Sequence, residues 1–263
     1  MESGASASVT WLNGRPLRHW IGGAPIDRPP SRTVPLAPAL RGTIHGPLPV
    51  ATTEEIDAFM VVVGGGLGRW LALSPEARKA GVMSLSDAIE ANADRLSAVL
   101  QFEMQLAAEL ADAQVRRSYT RMREILAESD SGRSPDVPAG IGAIVTSRHR
   151  SGKVLMALFT RVLLNDSVIV IKPSEAGPLI VELLVELANT CELPPGVVNV
   201  VHGDEETVDA LVTNPHVAAV YFDGNPDSEQ HMIRLATLCE KPIVLYAEDP
   251  QFAGTPLRVL PSA

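Results

Sequence analysis

Apolar positions along this chain follow two periods, and the change from one to the other falls near Pro138. Ahead of it the period is helical. Thr52-Thr53-Glu54-Glu55 offers hydroxyls for a cap and acids for a first turn, which predicts a helix running to about Trp70. Gly64-Gly65-Gly66 lies inside that helix, and each glycine weakens it by about 1 kcal/mol. Ser74-Pro75-Glu76-Ala77 is a second start, with serine at the cap and proline at the first helical position. Val82, Leu85, Ile89, Ala93, Leu96 and Leu100 then recur every three or four residues, the pattern of one amphipathic helix packed on a surface. Another helical stretch runs from about Ala107 to Glu128, and its Arg116, Arg117, Arg121 and Arg123 read as a solvated face.

Beyond Pro138 five short β-rich runs appear: Ile141–Thr146, Ser167–Ile171, Val197–Val201, Ala218–Phe222 and Pro242–Ala247. Helical patterns of ten to fifteen residues separate them. Such alternation predicts an α/β fold, a Rossmann-like open parallel sheet of about five strands with flanking helices, preceded by an N-terminal helical segment. Ligands of such sheets bind at the carboxyl ends of the strands, here Ser147–Arg150, Lys172–Glu175, His202–Asp204, Asp223–Asp227 and Tyr246–Asp249. The organisation reads as a proline-rich arm over residues 1–50, helices packing on the sheet over 51–138, and the α/β core over 139–263, all in one unit. Five prolines between Pro25 and Pro38 keep the arm extended and wrapped over another surface, and Trp20-Ile21 is a candidate edge strand. The tail from Gly254 to Ala263 reads as irregular rather than as a strand.

Composition narrows the partners. A formal net charge of −9 over 263 residues argues against nonspecific binding to nucleic acid or to an anionic membrane. Aromatics at 4% leave little for stacking platforms. The most apolar stretch, Val154 to Ile171, is interrupted by Arg161 and Asn165-Asp166, which spoils it as a bilayer span. Cys191 and Cys239 have no metal or redox spacing and read as small buried hydrophobes, so no metal is expected and a cytoplasmic setting is the default.

Three ordered stretches carry a more specific signal: VIVIKPSE at Val168–Glu175, LPPGVVNVVHG at Leu193–Gly203 and YFDGN at Tyr221–Asn225. They resemble, in order and spacing, the nucleotide-binding domain of the aldehyde dehydrogenase superfamily, where the stretches are of the type TVVLKPSE, LPPGVVNVVTG and SFTGS. Residues 50–80 resemble the family's first helices, and Leu96–Glu103 resembles the segment ending in its Glu-Thr-Gly. The resemblance implies an NAD or NADP site on Lys172, Ser174, Glu175, Gly203 and Gly224. A lysine directly after a buried strand can donate to ribose hydroxyls or a phosphate, a glutamate can accept from ribose hydroxyls, and a missing Cβ admits a close backbone. The plainer alternative is that Lys172 and Glu175 cap the next helix and face solvent.

The chain departs from the family where its chemistry begins. Family members are roughly twice as long, and neither Cys191 nor Cys239 matches their nucleophile, without which no thiohemiacetal forms by the family route. The family's asparagine after the first strand falls on His149 by ungapped count, and its general-base glutamate falls near Tyr246, or on Glu248 with a gap of two. The pyrophosphate stretch gains Asp223, Asp227 and Glu229 beside a helix N-terminus, a repulsion that Arg148, Arg150 or Lys153 would have to offset. Aldehyde oxidation by this chain alone is therefore not expected. The expectation is a redox-free enzyme, eliminating, isomerising or cyclising a small molecule with His149, Tyr246 and Glu248 as acid and base, or else a pseudoenzyme. The alternatives are the nucleotide-binding half of a split dehydrogenase or a noncatalytic interaction module. Partners follow from the same resemblance: a small molecule or nucleotide, and a second copy or a partner chain covering the exposed face.

Overall fold

The computed structural model describes residues 15–36, 46–128, 136–146, 152–224, 226–246 and 257–260. Strands β1 (Trp20–Ile21) and β2 (Ala24–Pro25) come first, followed by β3 (Arg32–Val34) and β4 (Leu48–Val50). Four helices follow: α1 (Thr53–Leu71), α2 (Pro75–Ala91), α3 (Ala93–Met104) and α4 (Ala108–Glu128). The remainder alternates: β5 (Ile141–Thr146), α5 (Gly152–Leu164), β6 (Val168–Lys172), α6 (Pro178–Ala188), β7 (Val198–Val200), α7 (Glu205–Thr213), β8 (Val217–Asp223), α8 (Pro226–Leu238) and β9 (Ile243–Tyr246). Strand β10 (Leu257–Leu260) closes it.

The main sheet has eight strands in the order β10-β9-β8-β5-β6-β7-β1-β2. Its five central strands are parallel, as the sequence pattern predicts. The other three extend its edges in antiparallel fashion: β1 and β2 beyond β7, and β10 beyond β9. The tail expected to be irregular thus contains a strand. Leu257-Arg258-Val259-Leu260 is too short to show an alternation, and pairing with β9 decides its conformation.

Local signals set the helix ends. Thr52 and Glu55 form a capping box, with the Glu55 N–H donating to Thr52 Oγ1 at 3.3 Å and the Thr52 N–H donating to Glu55 Oε2 at 3.1 Å. Ser74 caps α2 ahead of Pro75. The single helix predicted through Val82 to Leu100 is in fact two. Asn92 ends α2 with its side-chain amide donating to the Ala88 carbonyl at 2.9 Å, the competition with backbone that makes asparagine a break rather than a helix interior. Arg121, expected on a solvated face, is only 8% exposed and ion-paired to Glu124 at 2.8 Å, because α4 packs along α5. Arg123 keeps to the surface, paired with Asp87 and Glu90.

Helix α6 has no side chain of its own at the cap position. Glu103, from the end of α3, supplies one: its two oxygens accept the N–H groups of Leu179 at 2.6 Å and Ile180 at 3.0 Å. Burial raises its carboxyl pKa to about 8, against the pull of those two donors.

The glycine run in α1 has a packing reason. A Cβ at Gly66 would run into the carbonyl of Gly196, in the Leu193–Gly203 stretch, so two backbones meet here without side chains. Gly64 faces open space. The arm is held just beyond this contact. Asn199, fully buried on β7, accepts from the Gly22 N–H at 2.9 Å and donates to the Ile169 and Gly196 carbonyls. His19 Nδ1 accepts the His202 N–H at 3.1 Å, while His202 Nε2 lies 3.1 Å from Glu182 Oε1. Further out, Arg28 pairs with Glu55 and Arg32 with Asp204.

Gly66→Ala is expected to destabilise the fold by about 1–3 kcal/mol through overpacking. Gly64→Ala should stabilise it by about 0.5–1 kcal/mol through lost chain entropy. Urea unfolding of both variants tests this, and equal effects would mean that Gly66 and Gly196 are not interlocked. A second expectation concerns acid. Burial, with His202 and Arg28 adding to it, lowers the His19 pKa from its ordinary 6.5 to about 3. The folded chain then refuses a proton that the unfolded chain accepts, so stability is full above about pH 6.5 and is lost progressively as pH falls toward 3. His19→Gln should flatten that slope in melts taken across the window, and an unchanged slope would assign the acid loss to other groups.

Candidate functional site

Strand order reverses at β5. The chain runs from β5 through α5 to β6 and through α6 to β7 on one side, then α7 returns it to β8 on the other. The carboxyl ends of strands flanking such a reversal leave a crevice that no crossover fills. A cavity of about 580 Å³ lies there. Its floor is Val145 and Thr146 at the end of β5, Lys172 at the end of β6 and Phe222 near the end of β8. Parallel pairing aligns Val145 with both Lys172 and Phe222, so these three side chains leave the sheet in one row. Helix α7 adds Glu205 and Val208, and α8 adds Asp227, Ser228, His231 and Met232.

The turn after β6 forms one wall with Ser174, Glu175 and Ala176. Ser174 shapes that turn. Its N–H donates to Thr146 Oγ1 at 3.2 Å, its hydroxyl accepts from the Ala176 N–H at 3.1 Å, and its carbonyl accepts from the Gly177 N–H at 3.1 Å. Glu175 is exposed. Lys172 is 6% exposed and makes no hydrogen bond among the described residues. Burial lowers its pKa, while the charges of Glu175 and Asp204 pull it back up. Lys241, also buried, is spent: its Nζ donates to the Val212 carbonyl at 2.6 Å and also to the Asn214 carbonyl.

Of the residues singled out in the sequence, Lys172, Ser174 and Glu175 meet in this cavity. Gly203 and Gly224 lie outside its lining. Gly203 makes room for Thr207, whose hydroxyl donates to the Ala51 carbonyl at 2.9 Å, and Gly224 is buried directly after β8. Tyr246 ends β9, while His149 and Glu248 lie outside the described residues, as do Arg148 and Arg150. Of the three acids read beside the α8 start, Asp227 lines the cavity, Asp223 is buried at the end of β8, and Glu229 is half-buried off the lining.

Several site residues escaped the sequence reading. Glu205, Val208, His231 and Met232 belong to two helices whose mutual placement no local pattern encodes. His231 Nε2 sits 2.8 Å from Asp209 Oδ1, an α8-to-α7 contact that helps set the cavity's width. Neither cysteine lines the cavity. The Cys191 thiol points instead to the Leu187 carbonyl at 3.1 Å and the Ser84 carbonyl, and burial raises its pKa.

Residues 28–247 match the model of the aldehyde dehydrogenase family. Among curated proteins, the chain is 27% identical over 224 residues to the malonate-semialdehyde dehydrogenase of Pseudomonas aeruginosa, covering 80% of this chain and 45% of that protein. It is 24% identical over 230 residues to a probable methylmalonate-semialdehyde/malonate-semialdehyde dehydrogenase (acylating) of Caenorhabditis elegans, covering 82% and 44%. The chain thus spans about half the length of the curated relatives it matches. Among solved structures, betaine aldehyde dehydrogenase of Staphylococcus aureus in complex with NAD⁺ superposes with a TM-score of 0.80 at 19% identity, over 92% of this chain and 52% of that one. A protein from Sinorhizobium meliloti described as a putative methylmalonate-semialdehyde dehydrogenase, complexed with NAD, gives 0.77 at 24% identity, over 89% and 50%. Likeness at that identity establishes a shared fold, and with the family match over residues 28–247 it places this chain in the aldehyde dehydrogenase family.

Proposed function

We propose that the chain binds the adenosine end of a nicotinamide dinucleotide, NAD or NADP, in the cavity at the β5 reversal. The observation that carries this reading is Lys172: a largely buried side chain on the cavity floor with no hydrogen-bond acceptor among the described residues. Its amine is left to donate into the cavity, where a ligand oxygen would complete a charge-assisted hydrogen bond. Ribose hydroxyls fit the donor set, because Lys172 donates to them and Glu175 accepts from them. Val208, Phe222 and Met232 supply apolar wall for a base. When bound, the nicotinamide supplies a hydride acceptor.

The remainder of the dinucleotide meets a less welcoming surface. Asp227, exposed on the cavity wall in the first turn of α8, opposes the attraction that a helix N-terminus offers to a pyrophosphate. Oxidation by the family route needs a thiolate, and both cysteines of this chain lie off the cavity. The reading therefore assigns nucleotide binding to these residues and places any thiolate outside them.

Acid–base chemistry by His149, Tyr246 and Glu248 is the second reading. It is supported by the topology, because parallel pairing through β8 brings the ends of β5 and β9 to one edge of the sheet. Its signature would be turnover of a small molecule without reduction of nucleotide, abolished in Tyr246→Phe.

Calorimetric titration tests the first reading. NAD⁺ and AMP are expected to bind, and NADP⁺ more weakly, since the Glu175 carboxylate repels a 2′-phosphate. Lys172→Met should weaken AMP by about 10- to 150-fold, the loss of a charged hydrogen bond worth about 1.5–3 kcal/mol. No heat from either NAD⁺ or AMP at millimolar concentration would sink the reading.

A further inference from the structure

The chain contains four lysines: Lys79, Lys153, Lys172 and Lys241. Among the described side chains Lys172 and Lys241 are buried, and they have opposite surroundings. Lys241 is locked by two main-chain carbonyls. Lys172 faces a 580 Å³ cavity with its amine unengaged among the described residues. A primary amine on a largely buried side chain, given no acceptor by the described residues and open to a cavity large enough for a small organic molecule, is an arrangement that suits a lysine nucleophile.

We propose that Lys172 is a covalent carbonyl-binding site: its ε-amine condenses reversibly with small uncharged hydroxyaldehydes. The nitrogen lone pair forms a bond to the carbonyl carbon as the carbonyl π pair moves onto oxygen, and one nitrogen proton passes to that oxygen to give the carbinolamine. The hydroxyl then leaves, taking the second nitrogen proton to depart as water, while the carbon–nitrogen double bond forms. One aldehyde and one amine give one imine and one water, with no change of oxidation state and no co-reactant. Once protonated, the imine keeps a positive charge where the ammonium stood, so it stays in balance with Glu175 and Asp204, whose charges act on that position. Burial favours the neutral, attacking form of the amine.

The cavity also selects among aldehydes. Glu175, Glu205 and Asp227 ring it with carboxylates, all three exposed to whatever enters. They repel an aldehyde that carries its own carboxylate and accept hydrogen bonds from one that carries hydroxyls. The inference rests on the same cavity as the nucleotide reading but not on nucleotide binding itself.

The test is reductive trapping of the full chain. Glycolaldehyde and glyoxylate, one neutral and one anionic at matched size, are each added with cyanoborohydride at neutral pH, and labelled peptides are followed in time by mass spectrometry. Lys172 should label first with glycolaldehyde, ahead of Lys79 and Lys153, and glyoxylate should label it more slowly. Lys172→Arg, which keeps the charge, should lose that early label while the later labels persist. Labelling of Lys172 no faster than of Lys79, or equal labelling by glyoxylate, would overturn the proposal. Excess AMP should protect Lys172. Early labelling with no protection would still support the imine site and would count instead against the nucleotide reading.

Discussion

A parallel sheet must be covered on both faces, and most of this molecule follows from that requirement. The five central strands are buried almost throughout, with Val168 to Lys172 the most uniform case. Helices α5 to α8 supply cover from within the alternating half, and the N-terminal half supplies more. Helix α1 lies close enough to the Leu193–Gly203 stretch that Gly66 and Gly196 meet without side chains. Trp70 of the same helix is fully buried, with its indole N–H donating to the Leu163 carbonyl at 3.4 Å.

The edges of the sheet raise a different problem, unpaired strand groups, and the arm solves it on one side. Strand β1 pairs with β7, and polar side chains tie the arm to the core beneath it. Asn199 alone connects Gly22, Ile169 and Gly196. The arm also reaches the site. Arg32 pairs with Asp204, which caps α7 beside the cavity, and so offsets one of the carboxylates acting on Lys172. Docking of a proline-rich segment is in this way coupled to the electrostatics of the cavity.

Buried charge separates structure from site. Glu103 and Lys241 are buried at helix termini, where orphan backbone groups satisfy them. Each does a job that a local cap residue would otherwise do. Lys172 has no such duty among the described residues, and that contrast is what supports its proposed role as a ligand group.

The sequence by itself determined the parallel sheet, its strand positions, most helix boundaries and the grouping of Lys172, Ser174 and Glu175. Those features depend on periodicity, caps and strand ends, which short-range sterics and burial enforce within a few residues. It did not determine the Asn92 break, which a local bond to the Ala88 carbonyl makes although the apolar period runs on through it, nor the burial of Arg121 or the strand at Leu257–Leu260, both of which depend on a neighbour distant in the chain. Nor did it reveal that Gly203 serves Thr207, or that His231 meets Asp209 across two helices. Only the tertiary structure decided these, because which helix faces cross a sheet edge is fixed by packing of the whole layer and not by the residues of either helix alone.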